Sequence, residues 1–453
     1  MVKYLTYALI ILFIFPQLLL GKNIYVSLNG SDQAAGTIDA PLRTMNVALN
    51  LAEPGDSISI LGNNFEPFII TSGGLEGNPV VISSYNDSIR IEGSVNYQGR
   101  NSTLHITAGY ISLIGLHIYA TSDRGIRISS GISEQYLYEI KLINCKVFNA
   151  GLVGVTASYV DSFVVDNCEV AYTANSHGLY ISNSSDRCIV KKSYFHHNGK
   201  AGLQVNADME MPGDHISSDI LIENNIFIAN CQASYSAGLN LASVRNSIIR
   251  NNFFFDNRTQ GMALWDDGYS SWGDPNNFTY GCKNNIIVNN TIINPEGSSH
   301  CLSFRNGSTD NKVFNNIFIH LGNRDGIAID PESNSNFISD YNIITYIEDP
   351  SENLINLEQW QSLYQQDLNS QSGNVQNVLE NSNDYILNQN SIAIDAANGN
   401  YLPPLDIDGK PRIDIPEIPN KGTGPIPFGD IGCSEFGESL VPIVPPDGIK
   451  LKK

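Results

Sequence analysis

Basic residues are scarce in this sequence, and their scarcity limits the partners that the protein can have. Its 453 residues include 26 lysines and arginines against 46 aspartates and glutamates, which gives a net charge of −20. A surface of this sign repels nucleic acid and anionic membranes. We therefore expect neither as a partner, and a basic side chain in a candidate site is informative.

A hydrophobic run long enough to span a bilayer occurs once, at the N-terminus. Lys3 precedes an uncharged apolar segment from Tyr4 to Leu20, and Gly21 follows it. This order is typical of an export signal. We expect residues 1–21 to be a signal peptide cleaved near Gly21, with a retained anchor as the alternative. No span is expected in the mature chain, which is predicted to be secreted, at the cell surface or in the periplasm.

The hydrophobic period of helices, 3.6 residues, is absent from the region of the chain between residues 125 and 329. A motif of Gly, apolar, any residue and apolar recurs there roughly every two dozen residues. Its leading residues are Gly125, Gly154, Gly178, Gly202, Gly238, Gly261, Cys301 and Gly326. A second motif, which usually reads Asn, Asn, any residue and apolar, keeps register with the first. It begins at Asn144, Asn167, Asn224, Asn251, Asn289 and Asn315.

These repeats predict an all-β fold, a right-handed parallel β-helix in which each repeat is one coil. Short alternating runs separated by Gly and Asn turns are typical of strands, and all-strand repeats of this length stack as a solenoid. Asparagines at one place in successive coils should form a hydrogen-bonded ladder. Cys145 and Cys168 take that place in two coils, where buried free thiols are favoured over a disulfide.

The two ends of the chain differ from the repeats. Residues 22–60 are predicted to form an N-terminal cap with a helix at 41–52, because an open coil end would expose core and strand edges. The β-helix should extend over 61–350, and 351–440 should form an irregular C-terminal cap with a helix within 354–370. Residues 441–453 are expected to be a flexible tail. We expect a monomer.

Both ends and the repeats together resemble the pectate-lyase-like superfamily of single-stranded right-handed β-helices. The segments that carry the resemblance are 25–32, 36–41, 54–56, 360–370, 391–395, 406–412 and 430–432. It covers nearly the whole mature chain and implies the fold and carbohydrate chemistry. The sequence lacks the Asp-Pro-His-Asp signature of alginate epimerases and the Asn-Lys and Arg-His pairing of related lyases. It also has no clean match to a calcium-binding aspartate cluster with a lysine base, so the mechanism is left open.

One strip of side chains is predicted to bind sugar. Residues two positions after each leading residue should point outward, and those at four and six positions follow into the turn. The candidate substrate-binding residues on this strip and its insertions are Tyr180, Gln204, Asn206, Asn240, Trp265, Trp272, His300 and Asp330. Insertions after Asn206 and Trp265 are expected to form the walls of a groove. The alternative is that they are surface loops with no role in binding.

The first functional hypothesis is a lyase that cleaves a uronate-containing, acidic polysaccharide by β-elimination. Lys200, His177 or His300 would remove the C5 proton, and Arg305, an amide or a calcium ion would neutralise the carboxylate. Asp267 is a further catalytic candidate. Calcium prefers oxygen ligands, and its candidate ligands are Asp208, Asp266 and Asp267.

Two alternatives stay open. A glycoside hydrolase would pair Asp208 with Asp266 or Asp267, which stacking separates by about 10 Å, near the upper end of the window of about 6.5–9.5 Å for an inverting enzyme. A non-catalytic surface β-helix would bind glycan or contribute to adhesion. The sequence Asp-Asp-Gly can also serve only to form a turn.

Overall fold

The computed structural model describes residues 21–86, 88–131, 135–268, 279–322 and 324–437. Nearly all of the predicted signal peptide, the predicted tail and Trp272 lie outside these residues. Within them, three sheets of twelve strands each, parallel except for the last strand of the third, form a right-handed parallel β-helix, so the predicted all-β fold is confirmed. No described helix is long and apolar enough to cross a membrane.

Each coil contributes one strand to each sheet. The first sheet contains Asn23–Val26, Ser57–Ile60, Val80–Ser84, Ile111–Ile114, Ile140–Ile143, Val164–Asp166, Ile189–Lys191, Leu221–Glu223, Ile248–Arg250, Ile286–Val288, Lys312–Phe314 and Ile338–Asp340. The second contains Asn64–Phe65, Ile89–Gly93, Leu116–Ala120, Lys146–Phe148, Glu169–Ala171, Tyr194–His196, Ile226–Ile228, Phe253–Phe255, Thr291–Asn294, Ile317–His320, Ile343–Ile344 and Gln371–Ser372.

The third sheet carries the predicted strip. It contains Phe68–Ile70, Leu104–Ile106, Arg124–Ile128, Val153–Ser158, Leu179–Ser182, Leu203–Asn206, Leu239–Ala242, Met262–Trp265, Leu302–Phe304, Ile327–Ile329, Ile347–Glu348 and Leu354–Ile355. Three short pairs add to the sheets: Leu137–Tyr138 with Val160–Asp161, Ser217–Ser218 with Val244–Arg245, and the antiparallel Val95–Tyr97 with Arg100–Ser102.

The predicted asparagine ladder is present and holds successive coils together. Asn225, Asn252, Asn290, Asn316 and Asn342 are completely buried. Each of the first four donates its side-chain amide to the side-chain oxygen of the next, at 2.9–3.0 Å. Because these bonds satisfy polar groups that water cannot reach, they make the turn stable inside the core.

The cysteines are structural. All seven are buried and free, which confirms the preference for thiols over disulfides. The Cys145 and Cys168 thiols lie in the ladder position, where they contact one another across adjacent coils. Burial raises the pKa of Cys188 and Cys282 to about 12, so these thiols stay protonated and unreactive at neutral pH.

Both predicted helices are present. Helix α1, Met45–Leu51, begins later than predicted because Thr44 is extended and caps it, its hydroxyl accepting from the Val47 amide at 3.4 Å. Helix α2, Leu357–Tyr364, has a capping box and buries Trp360 against the last coils. The chain also forms a 3₁₀ turn, Pro331–Ser333, and helix α3, Val375–Val378.

The segment 375–436 covers the outer face of the second sheet. Its apolar side chains pack on outward-facing residues of that sheet, among them Ile226, Phe253 and Ile317. The first asparagine of several repeats also donates to its backbone; the Asn289 amide reaches the carbonyl oxygens of Asp430 and Gly432 at 3.0 and 2.9 Å. From Tyr180 onward, the outer face of the third sheet has no such cover in the described residues, whereas near its N-terminal end the Tyr97 ring packs 4.8 Å from that of His105.

Candidate active-site groove

The outward positions of the third sheet align as the repeats predict. Tyr180, Gln204, Asn240, Ala263 and Ser303 are direct neighbours on successive strands. Their backbones are therefore spaced by about 4.8 Å along the β-helix. The strip that the sequence indicated is a continuous column of the sheet.

This column forms the floor of a groove with a volume of about 410 Å³. The groove brings together eight of the predicted site residues, which are His177, Tyr180, Lys200, Gln204, Asn206, Asn240, Trp265 and Arg305. Its other lining residues are Tyr235, Ser236, Gln260, Ala263, Ser303 and Asn306. Among the described residues, none that lines the groove is a carboxylate.

Amide side chains order the groove floor. Asn240 donates to Gln204 Oε1 at 2.6 Å and accepts from Trp265 Nε1 at 3.0 Å. This chain fixes the plane of the indole against the floor. Gln260 donates to the Tyr235 hydroxyl at 2.6 Å and accepts from Ser303 at 2.7 Å. The floor is thus a fixed set of donors and acceptors bordered by two aromatic rings, the combination that sugar recognition uses.

Lys200 and His177 lie together at one end of the groove. Burial and the Lys200 charge lower the pKa of His177 to about 3, so this imidazole is neutral at physiological pH. Its Nδ1 atom is buried without a hydrogen-bond partner in the described part of the chain. A neutral imidazole with so low a pKa is a weak proton acceptor, which leaves Lys200 as the better base of the two.

Arg305 occupies the other end of the groove and is held in place by two side chains. Its Nη2 atom donates to Glu348 Oε1 at 2.6 Å and to His300 Nε2 at 3.2 Å. His300 in turn donates from Nδ1 to the Asp325 carboxylate. Because both nitrogens of His300 are engaged and the ring is 8% exposed, His300 positions Arg305 and does not itself line the groove.

Asp266 and Asp267, which directly follow Trp265, lie beside the groove. Asp266 is completely buried and accepts from the Tyr280 amide at 2.8 Å. Asp267 accepts from the Met209 amide at 3.2 Å, and from the Asn206 amide at 3.5 Å. Burial, with help from Asp208, raises the pKa of Asp267. Burial and the charges of Asp208 and Asp267 likewise raise the pKa of Tyr180, which therefore keeps its proton.

Asp330 has a different setting from the one expected of a sugar ligand. It caps the 3₁₀ turn by accepting from Ser333 at 2.9 Å, and it also accepts from the Asn306 amide at 2.6 Å. Both carboxylate oxygens are thus used by backbone amides. Its contact with Asn306, which lines the groove, makes it a support of the wall.

Comparisons with known proteins agree with this fold. A protein from Emericella nidulans described as pectate lyase PEL9 is 33% identical over 135 residues, which are 29% of this chain and 30% of that protein. The chain thus matches less than a third of the length of this relative. The crystal structure of pectate lyase Pel9A has a TM-score of 0.55 at 13% identity, with 92% of this chain and 96% of that chain covered. No family profile matches the chain.

The chain has the β-helix fold of a pectate lyase.

Calcium, which the sequence analysis predicted with this fold, takes six to eight oxygen ligands. Of the predicted ligands, Asp266 accepts from the Tyr280 amide and Asp267 from the Met209 amide, each through one carboxylate oxygen, and a calcium ion held by these residues and Asp208 stays a prediction. Ligand atoms of His300, Asp325 and Glu348 do lie within 4.8 Å of one another and form a possible metal site. That group includes a nitrogen and is already paired internally and with Arg305, so it does not fit calcium.

Sequence reasoning missed Gln260, Tyr235 and Asp325. Gln260 directly precedes the leading residue Gly261, and Asp325 directly precedes the leading residue Gly326. His177 and His300 take the same place in their own coils. Backbone bonds such as Gly238 N to Gln260 O, at 2.9 Å, show that this place is a column of its own. The signal was therefore present in the repeat. Tyr235 lies on an irregular turn, and no pattern pointed to it.

Proposed function

We propose that the protein is an exported polysaccharide lyase that cleaves a uronate-containing polymer by β-elimination. The observation that carries this proposal is the charge of the groove. In a chain of net charge −20, the groove is lined by Lys200 and Arg305 and, among the described residues, by no carboxylate. An anionic polymer gains from such a lining, whereas a neutral polymer has no use for it.

The two cations serve different sugar units in this proposal. Lys200 precedes the strand of Gln204, and Arg305 follows the strand of Ser303, three strands further on. Three strand spacings are about 14 Å. A polymer that lies along the third sheet would therefore present one uronate to Lys200 and the carboxylate of another to Arg305.

The reaction follows from these positions. After Lys200 gives up a proton to solvent, its neutral amine takes the C5 proton of the uronate, the electron pair forms the C4–C5 double bond, and the C4–O bond breaks. The leaving oxygen then takes a proton, which the Lys200 ammonium or water supplies. Amide N–H groups of the floor, such as those of Gln204 and Asn206, donate to the carboxylate as charge develops on it. The low pKa of His177 keeps a second positive charge away from Lys200.

A polymer screen tests the proposal. Purified protein is incubated with pectate, alginate and glycosaminoglycans, and formation of unsaturated uronates is followed by ultraviolet absorbance. We expect new absorbance with at least one of these polymers, and its loss in Lys200→Gln. New reducing ends from a neutral polymer, with no new absorbance from any acidic one, would favour the hydrolase. Glycan binding without either product would favour the non-catalytic alternative.

Calcium is tested in the same assay. Activity that disappears in chelator and returns with calcium, but not with magnesium, would support a calcium site in the loop that contains Asp208. Full activity in excess chelator would contradict the sequence-based prediction of calcium and leave the elimination itself unaffected.

A further inference from the structure

A second cluster of basic side chains lies on the third sheet, outside the groove. Arg127 is the neighbour of His105 on one side and of Thr156 on the other, and Thr156 is the neighbour of Tyr180. The outward column of the groove floor thus continues without a break to Arg127. Arg100 and Arg124 lie close enough to lower the pKa of Arg127 by their charge.

Among the described residues the cluster has no ion pair, and the Asp123 carboxylate acts on Arg124 and Arg127 only through its charge. Arg127 is 9% exposed and its Nε atom is buried without a hydrogen-bond partner there. Burial, Arg124 and Arg100 lower the pKa of Arg127 to about 10. Arg124 donates to the Thr156 hydroxyl at 3.2 Å, and within the described part of the chain none of these arginines is in an ion pair with a carboxylate.

His105, the neighbour of Arg127, is also buried with an unsatisfied polar atom. It is completely buried, its Nδ1 atom has no partner in the described residues, and Ser129 Oγ lies 3.4 Å from its Nε2. Burial and the charges of Arg127 and Arg100 lower its pKa to about 4. A buried, unpaired cation destabilises a fold. Arg127 is such a cation, and Arg100 and Arg124 bring further positive charge close to it, which indicates that an external anion completes the site.

We propose that Arg127, with Arg100 and Arg124, forms a subsite that binds the carboxylate of a uronate in the polymer that occupies the groove. The inference rests on the proposed function. Arg127 lies three strands from Gln204, about 14 Å, which is the spacing of Arg305 on the other side. Carboxylates of one polymer chain would thus be held on both sides of Lys200.

The local shape suits this ligand. A small cavity of about 40 Å³ at the end of the strand that contains Arg127 is lined by Arg100, Ser129, Ser158 and Asn183, among others, and not by Arg127 itself. Guanidinium groups bind carboxylates through paired hydrogen bonds, and the serine and asparagine side chains can bind neighbouring hydroxyls. A carboxylate there would pair with the Arg100 guanidinium, and the nearby charge of Arg127 would stabilise it.

Oligomers of two lengths test the subsite. Binding and cleavage of dimers and hexamers of galacturonate, mannuronate and guluronate are measured for wild type and for Arg127→Met. We expect the variant to bind the hexamer at least about tenfold more weakly, since a charge-assisted contact is lost, and the dimer within about twofold of wild type. Arg127→Lys should restore part of the hexamer affinity.

Stability and charge are controlled separately. Removal of an unpaired buried cation should leave Tm unchanged or raise it, so Arg127→Met should fold. Arg90→Met removes the same charge from the second sheet, where Arg90 pairs with Glu92, and should not change hexamer affinity.

The outcomes separate this inference from the proposed function. Unchanged hexamer affinity in Arg127→Met, or equal weakening of dimer and hexamer, would overturn the subsite even if the polymer is cleaved. Hexamer binding that depends on Arg127, without cleavage of any polymer, would overturn the lyase and keep the subsite. Binding of inorganic phosphate or sulfate that depends on Arg127, with no uronate hexamer bound, would overturn the uronate assignment.

Discussion

The outer faces of the second and third sheets are built from the same repeat but differ in polarity and in cover. On the second sheet, outward positions such as Ile226, Phe253 and Ile317 are apolar, and the segment 375–436 covers them. On the third sheet the corresponding positions, such as Gln204 and Asn240, are polar and line the groove. The inward-facing residues of both sheets are equally apolar.

This difference shows that the outward columns, and not the core, assign each face its role. Burial of an apolar column under the C-terminal segment stabilises the fold, whereas a column of amides is stable in water and free to exchange water for sugar. Substitutions on the two faces should therefore affect different properties.

Loss of Lys200 should abolish most activity. Lys200→Gln keeps much of the length of the side chain but cannot accept the C5 proton, so we expect kcat to fall by at least about 100-fold, the range for a general base. Steady-state kinetics on the polymer found in the screen measures this. Lys141→Gln, on the first sheet, is the matched control and should retain full activity. Near-normal kcat in Lys200→Gln would contradict the role of Lys200.

On the covered face, truncation should reduce stability and leave catalysis intact. Phe253 is 2% exposed and its ring lies 5.1 Å from that of Tyr385 in the C-terminal segment. We expect Phe253→Ala to lower the free energy of unfolding by about 3–5 kcal/mol, measured by denaturant titration. The kcat/KM of the folded variant should equal that of wild type. A fall in kcat/KM with unchanged stability would contradict the conclusion that the covered face serves stability and not catalysis.

On the groove face, a substitution should weaken binding of the polymer and leave stability intact. Arg305→Met removes the cation that Glu348 and His300 hold in position, and we expect KM for the acidic polymer to rise about tenfold. Arg305→Lys should restore part of the affinity. A neutral analogue of the polymer should bind both proteins equally. Equal weakening for charged and neutral polymers would show that Arg305 acts by shape and not by charge.

Acid should destabilise the fold through the buried imidazole of His105. Burial lowers the pKa of His105 to about 4, so the unfolded chain binds a proton there that the folded chain does not. Stability from this group is complete above the ordinary histidine pKa, about 6.5, and is lost as pH falls toward 4. We expect Tm to fall over this window, and His105→Gln to flatten the fall. An unchanged slope would contradict the assignment.

Much of the fold and part of the site followed from the sequence, for physical reasons. The repeat determines register, and register places Tyr180, Gln204, Asn240 and Trp265 on one face, so these could be predicted. The hydrogen bonds between side chains could not, because they depend on rotamers that the repeat does not set. For this reason His300 was predicted to touch substrate, whereas it contacts Arg305. The C-terminal segment has no repeat, so the sheet that it covers could not be predicted.

The central claim is that the groove on the third sheet cleaves an acidic polymer by elimination. The most direct test is digestion of the polymer in water enriched in heavy oxygen, with the products analysed by mass spectrometry. Elimination adds no water, so we expect unsaturated products without heavy oxygen from the wild type and no products from Lys200→Gln. Saturated products that carry one heavy oxygen atom per cleavage would contradict the claim.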